Sequence, residues 1–300
     1  MKFLLTAINA KFIHSNPAIY SLRAGVGEKL QPYVELAEFT INESLESILE
    51  GIWKRQPKVI GFSCYIWNWK LIREILTELP KILPDTEIWL GGPEVTYDGP
   101  GLLREFPQVT GIMVGEGEVT FREVLDHYVR ETETAGQSEQ QPEPDSIEQQ
   151  AADRTGTVAG KSVAERFGQI SGLCLASGYT APRELTDLTT LPFLYEDMEP
   201  FTNRIIYYET SRGCPYRCSY CLSSIDKKVR LRDIDVVKRE LQFFLDQNVK
   251  QVKFIDRTFN CDHKHAMEIW RYIYEHDNGV TNFHFEISAD ILREEEIALL

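Results

Sequence analysis

The chain has no apolar run long enough to cross a membrane, which takes about 20 residues. Its first nine residues carry one lysine and a short apolar stretch. A secretory signal needs a longer apolar region and a small-residue cleavage site. The segment reads instead as a first buried strand, and a cytoplasmic protein is expected. Basic runs are missing as well. A duplex-binding protein gathers lysine and arginine on one face, whereas this chain carries a net charge of −14, so no nucleic-acid partner is expected. Cysteine is scarce, with six in 300 residues, and a reducing compartment leaves little use for them as disulfides.

What is present is enough for two domains with real cores, since 43% of the 300 residues are hydrophobic. Charge is uneven along the chain. Residues 131–166 hold eight acids against three bases, hence −5 of the total. They are rich in Glu, Gln, Ser, Thr, Ala and Gly, and bury too little to offset their ordering entropy. They read as a disordered acidic insertion or linker.

Residues 1–130 alternate short apolar strands with helical periods. Strands are expected at 2–8, 34–40, 59–63, 87–90 and 111–114. Helices are expected at 21–30, 44–55, 69–79 (ended by Pro80) and from Gly117 through Val129. This is a parallel α/β sheet with helices on both faces, where ligands bind beyond the carboxyl ends of the strands. Residues 167–200 connect, with a strand at 170–175. Residues 201–300 then give strands at 204–208, 252–255 and 282–287, each followed by a helix. Three β/α units are about half of a barrel, so the chain is expected to be a portion of a longer protein.

Three of the six cysteines fall within eight residues, in Gly213-Cys-Pro-Tyr-Arg-Cys-Ser-Tyr-Cys221. The spacing makes Cys214, Cys218 and Cys221 a ligand set. Three thiolates can hold three irons of a cubane, leaving the fourth open. Zinc wants four ligands, typically as paired Cys-x₂-Cys units, and His263 lies 42 residues beyond Cys221. Cys64, Cys174 and Cys261 read as small buried hydrophobes. The loop follows a strand, at the end of a barrel where active sites lie.

Cys-x₃-Cys-x₂-Cys with Tyr220 before the last cysteine resembles the radical S-adenosylmethionine superfamily. The resemblance implies a [4Fe–4S] cluster on Cys214, Cys218 and Cys221. It implies S-adenosylmethionine on the open iron, with Tyr220 near the adenine. It places Asp256 toward the amino end of that molecule and Glu286 toward its ribose. A reducing partner such as flavodoxin or ferredoxin is implied too. Upstream, Gly-Phe-Ser63, Leu90-Gly-Gly-Pro-Glu94 and Val114-Gly-Glu-Gly-Glu118 at strand ends resemble the cobalamin-binding domain of class B members. That implies corrin contacts at Ser63, Gly91, Gly92, Gly115 and Gly117. Asn9-Ala-Lys-Phe-Ile-His-Ser15 and Ser63-x-Tyr-Ile-Trp-Asn68 are similar to an uncharacterised subgroup of the class. One departure stands out. Where many cobalamin domains carry Asp-x-His-x-x-Gly, this chain has Phe12, His14 and Pro17. His14 then lacks its carboxylate partner, and a corrin would bind without a protein histidine below cobalt.

Three readings follow. The first is radical methylation of an unactivated carbon in a small-molecule or peptide substrate, with cobalamin as methyl donor. The second keeps the radical step for oxidation, cyclisation or rearrangement. The third is a cluster-bearing electron carrier or sensor. Tyr220 and the barrel context speak against the third. A methylthiotransferase would bring further cluster cysteines, and residues 1–130 contain only Cys64.

Overall fold

The computed structural model describes residues 1–138, 161–226 and 228–300. The chain forms two compact units. The first comprises Met1–Phe12 and Asn16–Leu185, the second Ile13–Ser15 and Thr186–Leu300.

The first unit runs β1 (Phe3–Asn9), α1 (Pro17–Gly25), β2 (Val34–Thr40), α2 (Leu45–Trp53), β3 (Val59–Ser63), α3 (Trp69–Ile82), β4 (Glu87–Gly91), α4 (Gly99–Glu105), β5 (Val109–Met113), α5 (Glu118–Ser138), α6 (Val163–Phe167), β6 (Leu173–Leu175) and β7 (Gly178–Tyr179). The sheet order is β2-β1-β3-β4-β5-β6-β7. The first five strands are parallel, while β6 and β7 are antiparallel additions. Every residue of β1 is buried, as a central strand covered on both faces must be. Leu4 and Ile8 pack with α2, α3 and α4, whereas Phe3, Leu5 and Ala7 pack with α1 and α5. The sheet is therefore doubly wound. Its order reverses between β1 and β3, the place where such sheets bind ligands.

Helix α4 has no counterpart in the sequence expectation, and α1 and α3 depart from their expected bounds. Asn16 caps α1 by accepting from the Ile19 N–H, and Pro17 fills the first turn, where its missing N–H costs nothing. The helix therefore starts at Pro17 rather than 21. Pro80 lies inside α3, near its end, instead of stopping it. The carbonyl that Pro80 cannot bond belongs to Leu76, and the Gln108 side-chain amide donates to it at 2.8 Å.

Helix α5 runs to Ser138, into the stretch expected as an insertion. At 162–165 a capping box of Ser162 and Glu165 opens α6. The rest of that expected insertion, 139–160, lies outside the described residues. Arg166 of α6 is buried and bonds Glu87 and Glu131 at 2.8–3.1 Å. The Tyr128 hydroxyl also donates to Glu87, at 2.7 Å. This ionic knot fastens α5 and α6 to the start of β4, at the opposite end of the strand from Gly91.

The second unit holds β8 (Ile206–Tyr208), β9 (Ser211–Arg212), β10 (Arg230–Leu231), α7 (Ile234–Asp246), β11 (Gln251–Phe254), α8 (His263–Glu275), β12 (Asn282–His284) and α9 (Glu294–Leu299). Strands β12, β11 and β8 form a parallel sheet. Ile206, Tyr208, Val252 and Phe254 are buried. Tyr208 meets Phe244 of α7 edge-on at 5.4 Å, and Phe254 lies 4.4 Å from Phe285. Tyr207, Lys253 and His284 stand in register on the opposite face. Asp233 caps α7 and Asp262 caps α8. These are three β/α units built on one parallel sheet, in the order the sequence implies. Strand β12 ends at His284, three residues short of expectation.

Candidate functional site

The cysteine loop is tied at its base. Ser211 and Arg212 pair antiparallel with Leu231 and Arg230. The Cys214 N–H donates to the Asp226 carbonyl at 3.0 Å, and Arg230 bonds the Asp226 carboxylate at 3.0 Å. Gly213 sits at φ 96°, and a β-carbon there would come 2.4 Å from the Lys228 carbonyl oxygen. Only glycine lets the chain turn into the loop at this point.

Cys214 is buried, while Cys218 and Cys221 are exposed. The Cys221 N–H donates to the Cys218 carbonyl at 3.1 Å. Hydrogen bonds from the Ser223 backbone and hydroxyl pull the Cys221 thiol below its usual range, and Arg257 adds to this. The anionic, ligating form is thereby favoured. Among the described residues, no three His, Cys, Asp or Glu side chains converge as a single metal ion requires. A cubane asks less, because each thiolate binds its own iron. Three soft donors on one glycine-turned loop, one already biased to thiolate, fit such a cluster. Tyr220 is 92% exposed beside Cys221.

Asp256 follows β11 and is buried. Its Oδ1 accepts from the Thr210 hydroxyl at 2.7 Å and the Ser211 hydroxyl at 2.6 Å. Its Oδ2 accepts from the Thr210 N–H at 3.2 Å. Burial raises its carboxyl above the usual range, against those hydrogen bonds. Through these bonds the carboxylate holds the strand that feeds the cysteine loop. Glu286 is half exposed, beyond the end of β12, and pairs with Lys253 at 3.2 Å. Thr258, which the sequence reading passed over, places its hydroxyl 3.6 Å from Cys214 Sγ. The two are 44 residues apart, so no local pattern could have paired them.

In the first unit, Ser63, Gly91, Gly92, Gly115 and Gly117 all line one cavity of about 350 Å³. Its walls include Leu5, Trp89, Met113 and Glu118. Gly92 has φ 107°, and a β-carbon would lie 2.5 Å from the Cys64 carbonyl oxygen. Gly115 has φ 81°, and a β-carbon would meet nothing within 4 Å. It borders the cavity. Ser63 Oγ accepts from Asn16 Nδ2 at 3.1 Å. Asn68 is fully buried and donates to the carbonyls of Ile8 and Ser63, both at 3.0 Å. It thus locks the ends of β1 and β3 at the switch point. The deep, largely apolar cavity with glycine edges fits a planar aromatic group on a polar tail, such as the nucleotide arm of cobalamin. His14 belongs to the second unit. Its backbone bridges Ile205 and its ring Nδ1 hydrogen-bonds the Tyr207 hydroxyl, both in the second unit.

A doubly wound sheet with a strand-end cavity and a β/α unit with a three-thiol loop define a class of two-cofactor protein. Comparison with known proteins is specific to it. Residues 4–125 match the B12 binding domain and residues 208–300 the radical SAM superfamily. An uncharacterized methyltransferase of Pyrococcus horikoshii is 26% identical over 229 residues, 75% of this chain and 45% of that protein. The cobalamin-dependent radical SAM methyltransferase TokK of Streptomyces tokunonensis is 28% identical over 215 residues, 68% of this chain and 28% of that protein. The chain thus spans less than half the length of either relative. Among solved structures, the cobalamin-dependent radical enzyme OxsB aligns over 99% of this chain and 41% of its own, with TM-score 0.67 and 16% identity. The methyltransferase TsrM of Kitasatospora setae aligns over 100% and 57%, with TM-score 0.64 and 18% identity. The chain therefore carries a B12-binding domain ahead of a radical SAM domain, the domain order of class B radical SAM proteins. Among the described residues, no helix is long and apolar enough to cross a membrane.

Proposed function

We propose that the protein works as a cobalamin-dependent radical S-adenosylmethionine enzyme that methylates an unactivated carbon of a small molecule or peptide. The observation that carries this is the presence, in one chain, of the strand-end cavity and the three-thiol loop, each within its matching family domain. Relatives named as methyltransferases support the reaction type.

Cys214, Cys218 and Cys221 would hold the [4Fe–4S] cluster, and Tyr220 would cover the adenine of S-adenosylmethionine. Glu286, beside Lys253, would face the ribose. Ser63, Gly91, Gly92, Gly115 and Gly117 would hold the nucleotide arm of cobalamin. When bound, these groups supply reductive cleavage of S-adenosylmethionine to a 5′-deoxyadenosyl radical and a transferable methyl group. The chain's own residues bind and orient. The Ser63 hydroxyl already accepts from Asn16 and keeps its own proton to donate. Trp89 and Met113 keep water from the inner cavity wall. Asp256 acts as a positioning residue for the start of the cysteine loop. A reducing protein such as flavodoxin or ferredoxin would supply the electron, and the exposed Cys218 and Cys221 leave that side of the loop accessible.

The test is anaerobic purification after growth with cobalamin, followed by incubation with methyl-labelled S-adenosylmethionine and a reductant. Stoichiometric corrin absorption with label passing onto the corrin is expected. A corrin-free protein with an intact cluster would overturn the cobalamin half of the reading.

A further inference from the structure

The end of β11 addresses the cysteine loop twice. Asp256 fixes Thr210 and Ser211, and Thr258 reaches Cys214. We propose that the Thr258 hydroxyl donates a hydrogen bond to the Cys214 thiolate and so raises the reduction potential of the cluster. This rests on the cluster reading above.

The geometry supports it from both sides. Thr258 Oγ1 lies 3.6 Å from Cys214 Sγ, within reach for a sulfur acceptor. Both residues are buried, with 7% and 8% exposure. Water therefore competes little for the contact, and a low local dielectric strengthens it. Once Cys214 ligates iron it has no proton to give, so the hydroxyl must be the donor. The direction is held from behind. The Asp256 carboxylate clamps the strand leading to Cys214, two residues before Thr258 on the neighbouring strand end. The Cys214 N–H is bound to Asp226, which fixes the other side of the residue.

The effect on potential follows from charge. One-electron reduction adds one negative charge to the cluster and its three thiolates. The electron comes from a mediator dye poised with dithionite, and the threonine proton stays on its oxygen. A donor to the sulfur stabilises the more negative state more than the less negative one. Cys218 and Cys221 are exposed, so water can solvate them, and Ser223 also serves Cys221. Cys214 is buried, so a donor to it must come from the protein.

The experiment is a redox titration of the reconstituted cluster, followed by its paramagnetic signal, in the wild type, Thr258→Val and Thr258→Ser. Valine keeps the shape and loses the hydroxyl, whereas serine keeps the hydroxyl. At a fixed potential near the wild-type midpoint, the oxidised-to-reduced ratio should rise in Thr258→Val by roughly twofold to fivefold, below the roughly tenfold that one whole hydrogen bond is worth, because the bond is present in both states and only its strengthening on reduction counts. Thr258→Ser should stay near the wild type. Equal midpoints in the wild type and Thr258→Val would overturn the inference, and so would an equal shift in Thr258→Ser. A second readout needs no variant. The iron–sulfur stretching bands of the wild type should shift on exchange into deuterated water, and no shift would also overturn it. A wild-type protein that takes up no cluster would instead sink the reading beneath it.

Discussion

Both oxygens of the Asp256 carboxylate are engaged by Thr210, Oδ1 with its hydroxyl at 2.7 Å and Oδ2 with its N–H at 3.2 Å. A carboxylate at the end of β11 thus holds the end of the strand that launches the cysteine loop. Asp256→Ala leaves two hydroxyls and an N–H buried without their acceptor. The expected cost is about 1–3 kcal/mol in unfolding free energy, with fewer irons retained per chain after gel filtration. Asp256→Asn keeps the shape and one good acceptor, and should fall between. Urea denaturation and iron analysis check both.

The cavity of the first unit makes a prediction that separates strain from occupancy. Gly115→Val places a non-glycine residue at φ 81° and fills space at the cavity edge. Gly178→Ala, at φ 118° in β7 and outside the cavity, carries the strain alone. Each should cost about 1–3 kcal/mol of stability. Only Gly115→Val should lose corrin, read as absorbance retained after desalting.

Arg166 is buried, with Glu87 and Glu131 both bonded to it. Removing one partner of a buried ion pair leaves charge uncompensated. Arg166→Ala should destabilise the first unit by about 3–5 kcal/mol, measured by chemical denaturation. The thiol titration of the cysteine loop, in the other unit, should be unchanged.

His265 in α8 supplies a pH dependence. Burial lowers its pKa below the ordinary 6.5, against the pull of Asp262. Its Nε2 has no hydrogen-bond partner among the described residues. The unfolded chain therefore takes up a proton at a pH where the folded one does not. Unfolding free energy rises with pH across that window. The stabilisation is fully present above the unfolded value and is lost as pH falls through it toward the lower folded value. The wild type should lose stability as pH falls through and below the ordinary histidine value of 6.5. His265→Leu should flatten that slope in denaturation curves taken at several pH values.

Much of this architecture was legible in the sequence because it is written locally. Strands β2 and β3 fall where apolar runs place them, and the cysteine spacing alone marks a ligand set. Ser63, Gly91, Gly92, Gly115 and Gly117, singled out by the family resemblance, come from three separate strand ends and line one cavity. What escaped was non-local. Pro80 continues α3 because Gln108, 32 residues from Leu76, satisfies the freed carbonyl. Strand β6 runs antiparallel, and an apolar run reports burial without direction. Asp256 was visible as an acid at a strand end, but its inward turn toward Thr210 and Ser211 depends on contacts 45 and 46 residues away.

The central claim is that Cys214, Cys218 and Cys221 carry a cluster that cleaves S-adenosylmethionine. Its most direct test is 5′-deoxyadenosine formation by anaerobically reconstituted protein with dithionite, in the wild type and in Cys218→Ala. The wild type should hold about four irons per chain and release 5′-deoxyadenosine, while Cys218→Ala should do neither. A Cys218→Ala protein that keeps both, or a wild type that holds four irons and releases no 5′-deoxyadenosine, would contradict the account.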